Sequence, residues 1–278
     1  MNTSEKQWVI LEALARFKYL TTQQLQFIFA LKSNSYTNTL IRKLKSTKHP
    51  LVKSIEFGIV PWIGRLPKIH YLSQSGAKFL SKELGYSEAN MQYPKNRNSF
   101  FQRDYYHRIS TIDFNIQFQQ TLAREGHWFV LFHGYFNRSK SSNYKRSITS
   151  ENHWNQWIEP DGVGHYKIKT QSHLFLFEQH NGKDKQRAIR QMIHHCYFLA
   201  KGTYSDRYQI NTATKIYYVF EFNNCKLAVI EVFKHHVGLM RFKDYFFFKS
   251  KQALAQSFNT NWDKPSGEKA SFFKPSWY

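Results

Sequence analysis

The sequence is poor in cysteine, in acidic side chains and in long apolar runs. Only Cys196 and Cys225 occur in 278 residues, so neither a disulfide framework nor a Cys-x-x-Cys metal motif is available. A reducing compartment, the cytoplasm, is the expectation. No apolar stretch approaches the ~20 residues that a membrane-crossing helix needs, and Met1–Trp8 is polar where a signal peptide would be apolar. Membrane insertion is therefore not expected. The chain has no Gly-rich phosphate loop, which argues against ATP use. Acidic residues number 19 against 40 Lys and Arg, a formal charge of +21. Residues 1–100 alone hold 15 basic and 5 acidic side chains. Self-repulsion of this size weakens a compact state unless a polyanion offsets it. Nucleic acid is the usual polyanion, because phosphate contacts release condensed counterions.

What is present is a patterned N-terminal region. Apolar side chains at Trp8, Leu11, Leu14, Ala15 and Phe17 predict a helix over 4–18, closed by Tyr19–Leu20. Thr21 or Thr22 caps a second helix with Leu25, Ile28 and Phe29 on one face. After a break at Lys32–Asn34, a third helix over 35–46 is expected with Tyr36, Leu40, Ile41 and Leu44 inward. Its outer face would offer Thr37, Asn38, Arg42, Lys43 and Lys45 to DNA. Two strand-like runs, Leu51–Phe57 and Lys68–Leu72, flank a turn-rich segment with Pro61, Gly64, Arg65 and Pro67. Ser73 caps a helix over 74–84 that Gly85 ends. Three helices, the third polar and basic, followed by a hairpin, are the pattern of a winged helix-turn-helix over residues 1–86. Arg65 and Lys68 are its expected wing contacts.

Residues 87–100, with Pro94 and the Asn96–Ser99 cluster, read as a linker. From 101 to 278 a second domain is expected. It would hold a long helix over 101–124, strands at Trp128–Phe136, Trp157–Lys169 and Ser172–His180, a helix over Lys183–Lys201 and a strand at Lys215–Phe222. A mobile basic loop is expected over 137–153, a further strand over Leu227–Phe233, a helix near 249–257 and an extended tail after Asp263. The chain thus reads as α+β. The order αβββαβ resembles the core of restriction-endonuclease-like nucleases, whose signature is Pro-Asp on the second strand and Glu-x-Lys on the third. Here Pro160–Asp161 is followed, 17 residues after the aspartate, by Glu178–Gln179–His180. Two carboxylates can hold a hard divalent ion through oxygen, which polarises a phosphate and activates a bound water. If Lys169–Thr170 forms the turn of a tight hairpin, Asp161 and Glu178 fall opposite each other with Cβ atoms ~5 Å apart. His180 then shares their face. Histidine stands where the pattern has lysine, and Lys183, Lys185, Arg187 and Arg190 on the next helix are substitutes for the missing cation.

A winged helix, then Trp157 with Pro160–Asp161–Gly162, then Glu178–His180–Gly182, then Arg187 through Tyr197, resembles the replication-relaxation family over roughly residues 5–222. That family is similar to the MobC-type relaxases of mobilisable plasmids. The resemblance implies a DNA-nicking endonuclease, a hydrolase of plasmid mobilisation and conjugation, acting at an origin of transfer or replication with Mg²⁺ or Mn²⁺. It implies Asp161 and Glu178, with His180 beside them, as metal ligands and catalytic residues. On the reading of the basic helix itself, Lys185 is the expected catalytic cation and Arg187 and Arg190 are expected on DNA. Partners would be the duplex origin, the nicked single strand, and accessory mobilisation or coupling proteins. His107 and Arg108 could enter the same cleft. His194–His195 and His235–His236 are adjacent pairs whose members point apart, so a structural role is the simpler one. Most of the 17 tyrosines suit stacking or packing. The competing expectations are a non-catalytic plasmid replication or partition protein, and a repressor with a ligand-sensing second domain.

Overall fold

The computed structural model describes residues 4–94, 104–135, 148–149 and 157–273. The basic loop expected at 137–153 lies outside these residues except for Ile148–Thr149, as do 95–100 of the expected linker. The chain divides into two compact units, Met1–Arg108 and Ile109–Tyr278. It is a mixed α+β protein with ten α-helices among the described residues.

In the N-terminal unit, α1 (Glu5–Phe17) buries Ile10, Leu11, Leu14 and Phe17 along one helical stripe. Leu20–Thr21, between the end of that helix and the cap of the next, also forms a short strand, β1, paired with β5. Thr21 is the cap of α2 (Thr22–Phe29): its hydroxyl accepts from Gln24 N–H at 3.1 Å while its own N–H donates to Gln24 Oε1 at 2.9 Å. The third helix, α3 (Asn34–Lys45), buries Thr37, Leu40, Ile41 and Leu44. This corrects the expected inner face. Thr37 is fully buried and Tyr36 is exposed, because positions 37, 40, 41 and 44 follow the i, i+3, i+4, i+7 rule. The Thr37 hydroxyl is satisfied inside the helix by donating to the Ser33 carbonyl at 2.9 Å. Strands β2 (Val52–Ile55) and β5 (Ile69–Leu72) complete a three-stranded antiparallel sheet, and between them β3 (Ile59–Val60) and β4 (Gly64–Arg65) form a separate hairpin.

Helix α4 (Gln74–Leu84) packs close to that sheet, and a sequence detail explains how. A Cβ on Gly76 would lie 2.2 Å from the Leu51 carbonyl oxygen, so only glycine permits the approach. Ser73 fixes the corner by accepting from Gly76 N–H at 3.0 Å and donating to the Pro50 carbonyl at 2.5 Å. The beginning of the expected linker is docked: Met91 and Tyr93 are buried, and Gln92 N–H donates to the Ala15 carbonyl at 2.7 Å.

The second unit is built on a seven-stranded mixed sheet. Helix α5 (Tyr105–Arg124) lays Phe114, Phe118 and Leu122 on one face. Strand β6 (Trp128–Gly134) follows, and the small pair β7 (Ile148–Thr149) and β8 (Trp157–Ile158) stands apart from the main sheet. The strand expected over Trp157–Lys169 is broken at Glu159–Asp161, where Pro160 offers no N–H to a ladder, and resumes as β9 (Gly162–Ile168). Strand β10 (Gln171–His180) pairs with it across Lys169–Thr170, with Gln171 opposite Ile168 and Phe177 opposite Gly162. Then come α6 (Lys185–Ala200), α7 (Thr203–Tyr208), β11 (Lys215–Phe220), α8 (Asn223–His235), α9 (Val237–Met240), β12 (Phe246–Ser250), α10 (Lys251–Gln256), β13 (Trp262–Asp263) and β14 (Lys269–Ala270). The sheet order is β14-β13-β12-β11-β10-β9-β6.

Two expectations are corrected here. Leu227–Phe233 is helical, not a strand. Strands β11 and β12 are parallel neighbours, and parallel neighbours need a crossover, which α8 supplies. Cys225, Val229 and Phe233 are buried on it at intervals of four. The tail after Asp263 folds back rather than running free: β14 pairs with β13, and Phe272 and Phe273 are buried among Phe118, Phe258 and Trp262. The sheet therefore has an aromatic core on the α5 side and a second core on the α6 and α8 side.

Candidate functional site

Antiparallel pairing of β9 with β10 decides which side chains meet. The ladder reaches Phe177 opposite Gly162, so the next pair outward is Glu178 with Asp161, on one face. Asp161 is anchored twice. Its carbonyl accepts from Tyr135 N–H at 3.0 Å, and its Oδ2 accepts from Gln179 N–H at 2.7 Å. Glu178 is 1% exposed. Burial pushes its carboxyl well above the usual carboxylate range, and the neighbouring Asp161 charge pushes it further the same way. Contact with the Asp161 side chain raises it again, against a hydrogen bond from Gln191 that lowers it.

Helix α6 closes over Glu178. Gln191 Nε2 donates to Glu178 Oε2 at 2.5 Å, and His195 Nε2 lies 2.7 Å from Glu178 Oε1. His195 Nδ1 is in turn 2.6 Å from the Tyr204 hydroxyl on α7. Glu178, His195 and Tyr204 thus form a buried hydrogen-bonded chain, each no more than 1% exposed. Burial, then the charge of His194, pushes His195 down to about 3, so its ring is neutral. The ring nitrogen that donates to one neighbour leaves the other to accept. Tyr204 is pushed up by burial and by the Glu178 charge.

Gln191, His195 and Tyr204 were not read as site residues in the sequence. The signal for His195 was its place on the apolar stripe of α6, beside Ala188, Met192 and Cys196. A polar residue on such a stripe requires a buried partner. His194 and His195 do point apart, the first half-buried and the second fully buried.

His180 is buried two residues beyond Glu178, and its Nε2 has no hydrogen-bond partner among the described residues. Burial and the Arg187 charge lower its pKa, partly offset by Asp184 and Asp161. Lys185, Arg187 and Arg190 are exposed on α6. The cation that His180 senses is Arg187, whereas the Lys185 charge acts on Cys225 of α8. Asp184 caps the helix, accepting from Gln186 and Arg187 N–H at 3.0 and 3.1 Å. Among the described residues, no three His, Cys, Asp or Glu side chains form a group that could hold a metal ion. The two carboxyls are brought together, and His180 does not complete a set with them.

In the N-terminal unit, Asn38, Arg42, Lys43, Lys45 and Arg65 are exposed, and Lys68 is exposed in an ion pair with Glu56 at 2.6 Å. Thr37, expected among them, is buried and cannot reach a ligand. Asn38 is held from behind. The Thr22 hydroxyl donates to its Oδ1 at 2.9 Å and lies 3.0 Å from His70 Nε2, while Ser54 Oγ lies 2.8 Å from His70 Nδ1. Burial, with the Lys45 and Lys68 charges, takes His70 down to about 4. His107 and Arg108 belong to this unit, and the Arg108 charge acts on Tyr19.

No described helix is long and apolar enough to cross a membrane. A family model described as "Replication-relaxation" matches residues 11–214, a span running from α1 into the segment before β11. No curated protein and no solved structure matches the chain.

Proposed function

Because the chain belongs to the replication-relaxation family, we propose that it is a plasmid relaxase: a divalent-metal-dependent endonuclease that nicks one DNA strand at an origin of transfer or replication. In this reading residues 1–86 act as a winged helix-turn-helix, and the second unit is a restriction-endonuclease-like domain. The observation that carries the reading is the pairing of Asp161 with Glu178 on one face of the β9–β10 hairpin, where burial and the Asp161 charge hold the Glu178 carboxyl well above its usual range. Their donor chemistry fits a hard divalent ion. Oxygen ligands suit Mg²⁺ or Mn²⁺, and a cation would relieve the carboxyl repulsion.

Asp161 and Glu178 would hold the ion, with His180 beside them. When bound, it would supply Lewis-acid polarisation of the scissile phosphate and a lowered pKa for water. The chain's own residues do the rest. Exposed Arg187 and Arg190 bind the phosphates flanking the cut, with Lys185 at the start of the same helix. His180, neutral, accepts a proton at Nε2. Gln191 and His195 orient the Glu178 carboxyl. Asn38, Arg42, Lys43, Lys45, Arg65 and Lys68 position the duplex.

The test is nicking of supercoiled DNA from the protein's own replicon in Mn²⁺. Asp161→Asn and Glu178→Gln should abolish nicking and leave duplex binding intact, and millimolar Mn²⁺ should raise the thermal midpoint of the wild type alone. Normal nicking by either variant rejects the site. A second reading, a DNA-binding replication or partition protein without nuclease activity, is favoured by one observation: both Glu178 oxygens already have protein partners. No strand cleavage and no Mn²⁺ shift in the wild type would select it.

A further inference from the structure

The hairpin β3–β4 is closed by Pro61, Trp62 and Ile63, with Val60 opposite Gly64 and Ile59 opposite Arg65. Ile63 N–H donates to the Val60 carbonyl at 3.1 Å, which makes a four-residue turn with Pro61 second and Trp62 third. Trp62 has a φ of 68°. Proline second and a positive φ third define a type II turn, whose third position ordinarily takes glycine or asparagine. The sequence instead puts there its bulkiest side chain type. A bulky residue in this region is an outlier, and such outliers gather where binding uses the side chain.

Packing does not account for the choice. Trp62 is fully exposed, and Ile59 and Ile63 are 73% and 63% exposed. Single exposed apolar residues are ordinary, but three on the tip of one two-stranded arm are a concentration. The setting is cationic. Arg65 is on the arm, Lys68 is exposed near its base, and the carboxylate of Glu56 is already taken by Lys68. The Lys68 contact holds Glu56 below the usual carboxylate range, with further help from Arg65 and Lys45, so the hairpin and the end of α3 share one positive field. An apolar protein groove or a second copy would be served by the tip alone. A polyanion with flat apolar faces inside it uses both features, and that partner is nucleic acid.

We propose that Trp62 is a wedge that enters duplex DNA between adjacent base pairs and unstacks that step, with Ile59 and Ile63 against the neighbouring sugars. Apolar side chains inserted in this way kink and part a duplex. An indole stacks on any base, so the contact tolerates sequence. The proposal rests on the reading that the N-terminal unit binds duplex DNA and goes beyond it: the hairpin opens the helix as well as contacting its backbone.

The experiment uses the full chain and an A·T-rich duplex oligonucleotide with 2-aminopurine at successive positions, at low salt. Binding is followed by anisotropy and unstacking by 2-aminopurine emission. The wild type should bind and raise emission at one or two adjacent positions. Trp62→Gly should lose that rise, weaken binding by less than about tenfold because phosphate contacts carry most of the affinity, and melt at an equal or higher temperature because glycine suits the turn. Trp62→Phe should keep most of the rise. An undiminished rise in Trp62→Gly overturns the wedge while leaving DNA binding in place. Absence of duplex binding by the wild type overturns the underlying reading as well. Loss of a dimer in Trp62→Gly, with unstacking unchanged, would reassign the tip to self-association.

Discussion

His70 in the N-terminal unit and His195 in the C-terminal unit are both buried, 3% and 0% exposed, yet their neighbours differ in kind. His70 lies between two hydroxyls, Ser54 and Thr22, and the line of contacts ends on the exposed Asn38 amide. His195 lies between a carboxyl and a phenol, Glu178 and Tyr204, and its line of contacts starts at a second carboxyl, Asp161. Burial keeps both rings neutral. The partners decide what a proton can do there. Among hydroxyls the imidazole is a rigid spacer behind the exposed face of α3. Between a carboxyl and a phenol it joins groups whose own protonation is displaced, which is the setting in which acid–base chemistry is found.

The largest effect that would sharpen this contrast is expected from His195→Leu. It strands the Glu178 and Tyr204 polar atoms, each at about 1–3 kcal/mol, so the C-terminal unit should lose several kcal/mol in urea. The same change at His70 should cost less, because Ser54 and Thr22 are only half-buried. Equal losses would break the comparison.

Acid should separate the units next. His70 falls from the ordinary ~6.5 to about 4 in the fold, so the unfolded chain binds its proton first. Stability of the N-terminal unit is then complete above pH ~6.5 and declines as the pH falls towards about 4, by up to roughly 3 kcal/mol. In the C-terminal unit His195, His173, His165 and His180, all lowered, act in the same direction, and Glu178 opposes them. A raised carboxyl is relieved by acid, and stability on its account rises as the pH falls. Hydrogen exchange, corrected for intrinsic rates, should show β5 amides losing protection between pH 6.5 and 4.5, and β10 amides losing it more steeply in Glu178→Gln than in the wild type. Equal slopes in Glu178→Gln and the wild type would refute the opposition.

Tyr204→Phe tests the far end of the chain and should cost about 1 kcal/mol. If Tyr204 tunes Glu178, the pH profile of any nicking shifts with it; a purely structural tyrosine leaves that profile unmoved. The smallest effect is expected from Thr37→Val, under about 1 kcal/mol and without change in DNA affinity, since Thr37 is sealed inside the unit. Arg42→Ala, one turn further along the exposed side, should weaken binding and lower its salt dependence.

The acidic pair was legible before any coordinates because hairpin register is arithmetic. Once Lys169–Thr170 is the turn, Asp161 must oppose Glu178, and the ladder follows that count. Lys169 accepts the positive φ of 52° that this uncommon turn requires. The helices α2, α3 and α4 were equally legible, since caps such as Thr21 and Ser73 act within a few residues. The inner face of α3 was misjudged because Tyr36 outweighs Thr37 on hydrophobicity. A threonine that bonds its own helix carbonyl can still be buried. Leu227–Phe233 misled for a related reason: its β-branched residues suit a strand, and only the parallel neighbours β11 and β12 demand a helix between them.

What the sequence by itself determined is therefore local or countable: the cationic balance, the capped helices, the hairpin register and the two carboxyls on one face. Tertiary structure alone decided which neighbours close over that face. Gln191 and His195 reach Glu178, and Tyr204 reaches His195, because α6 and α7 fold back across the sheet. No spacing in the chain encodes that meeting, since it depends on the packing of distant apolar stripes rather than on the turn or period of any one element.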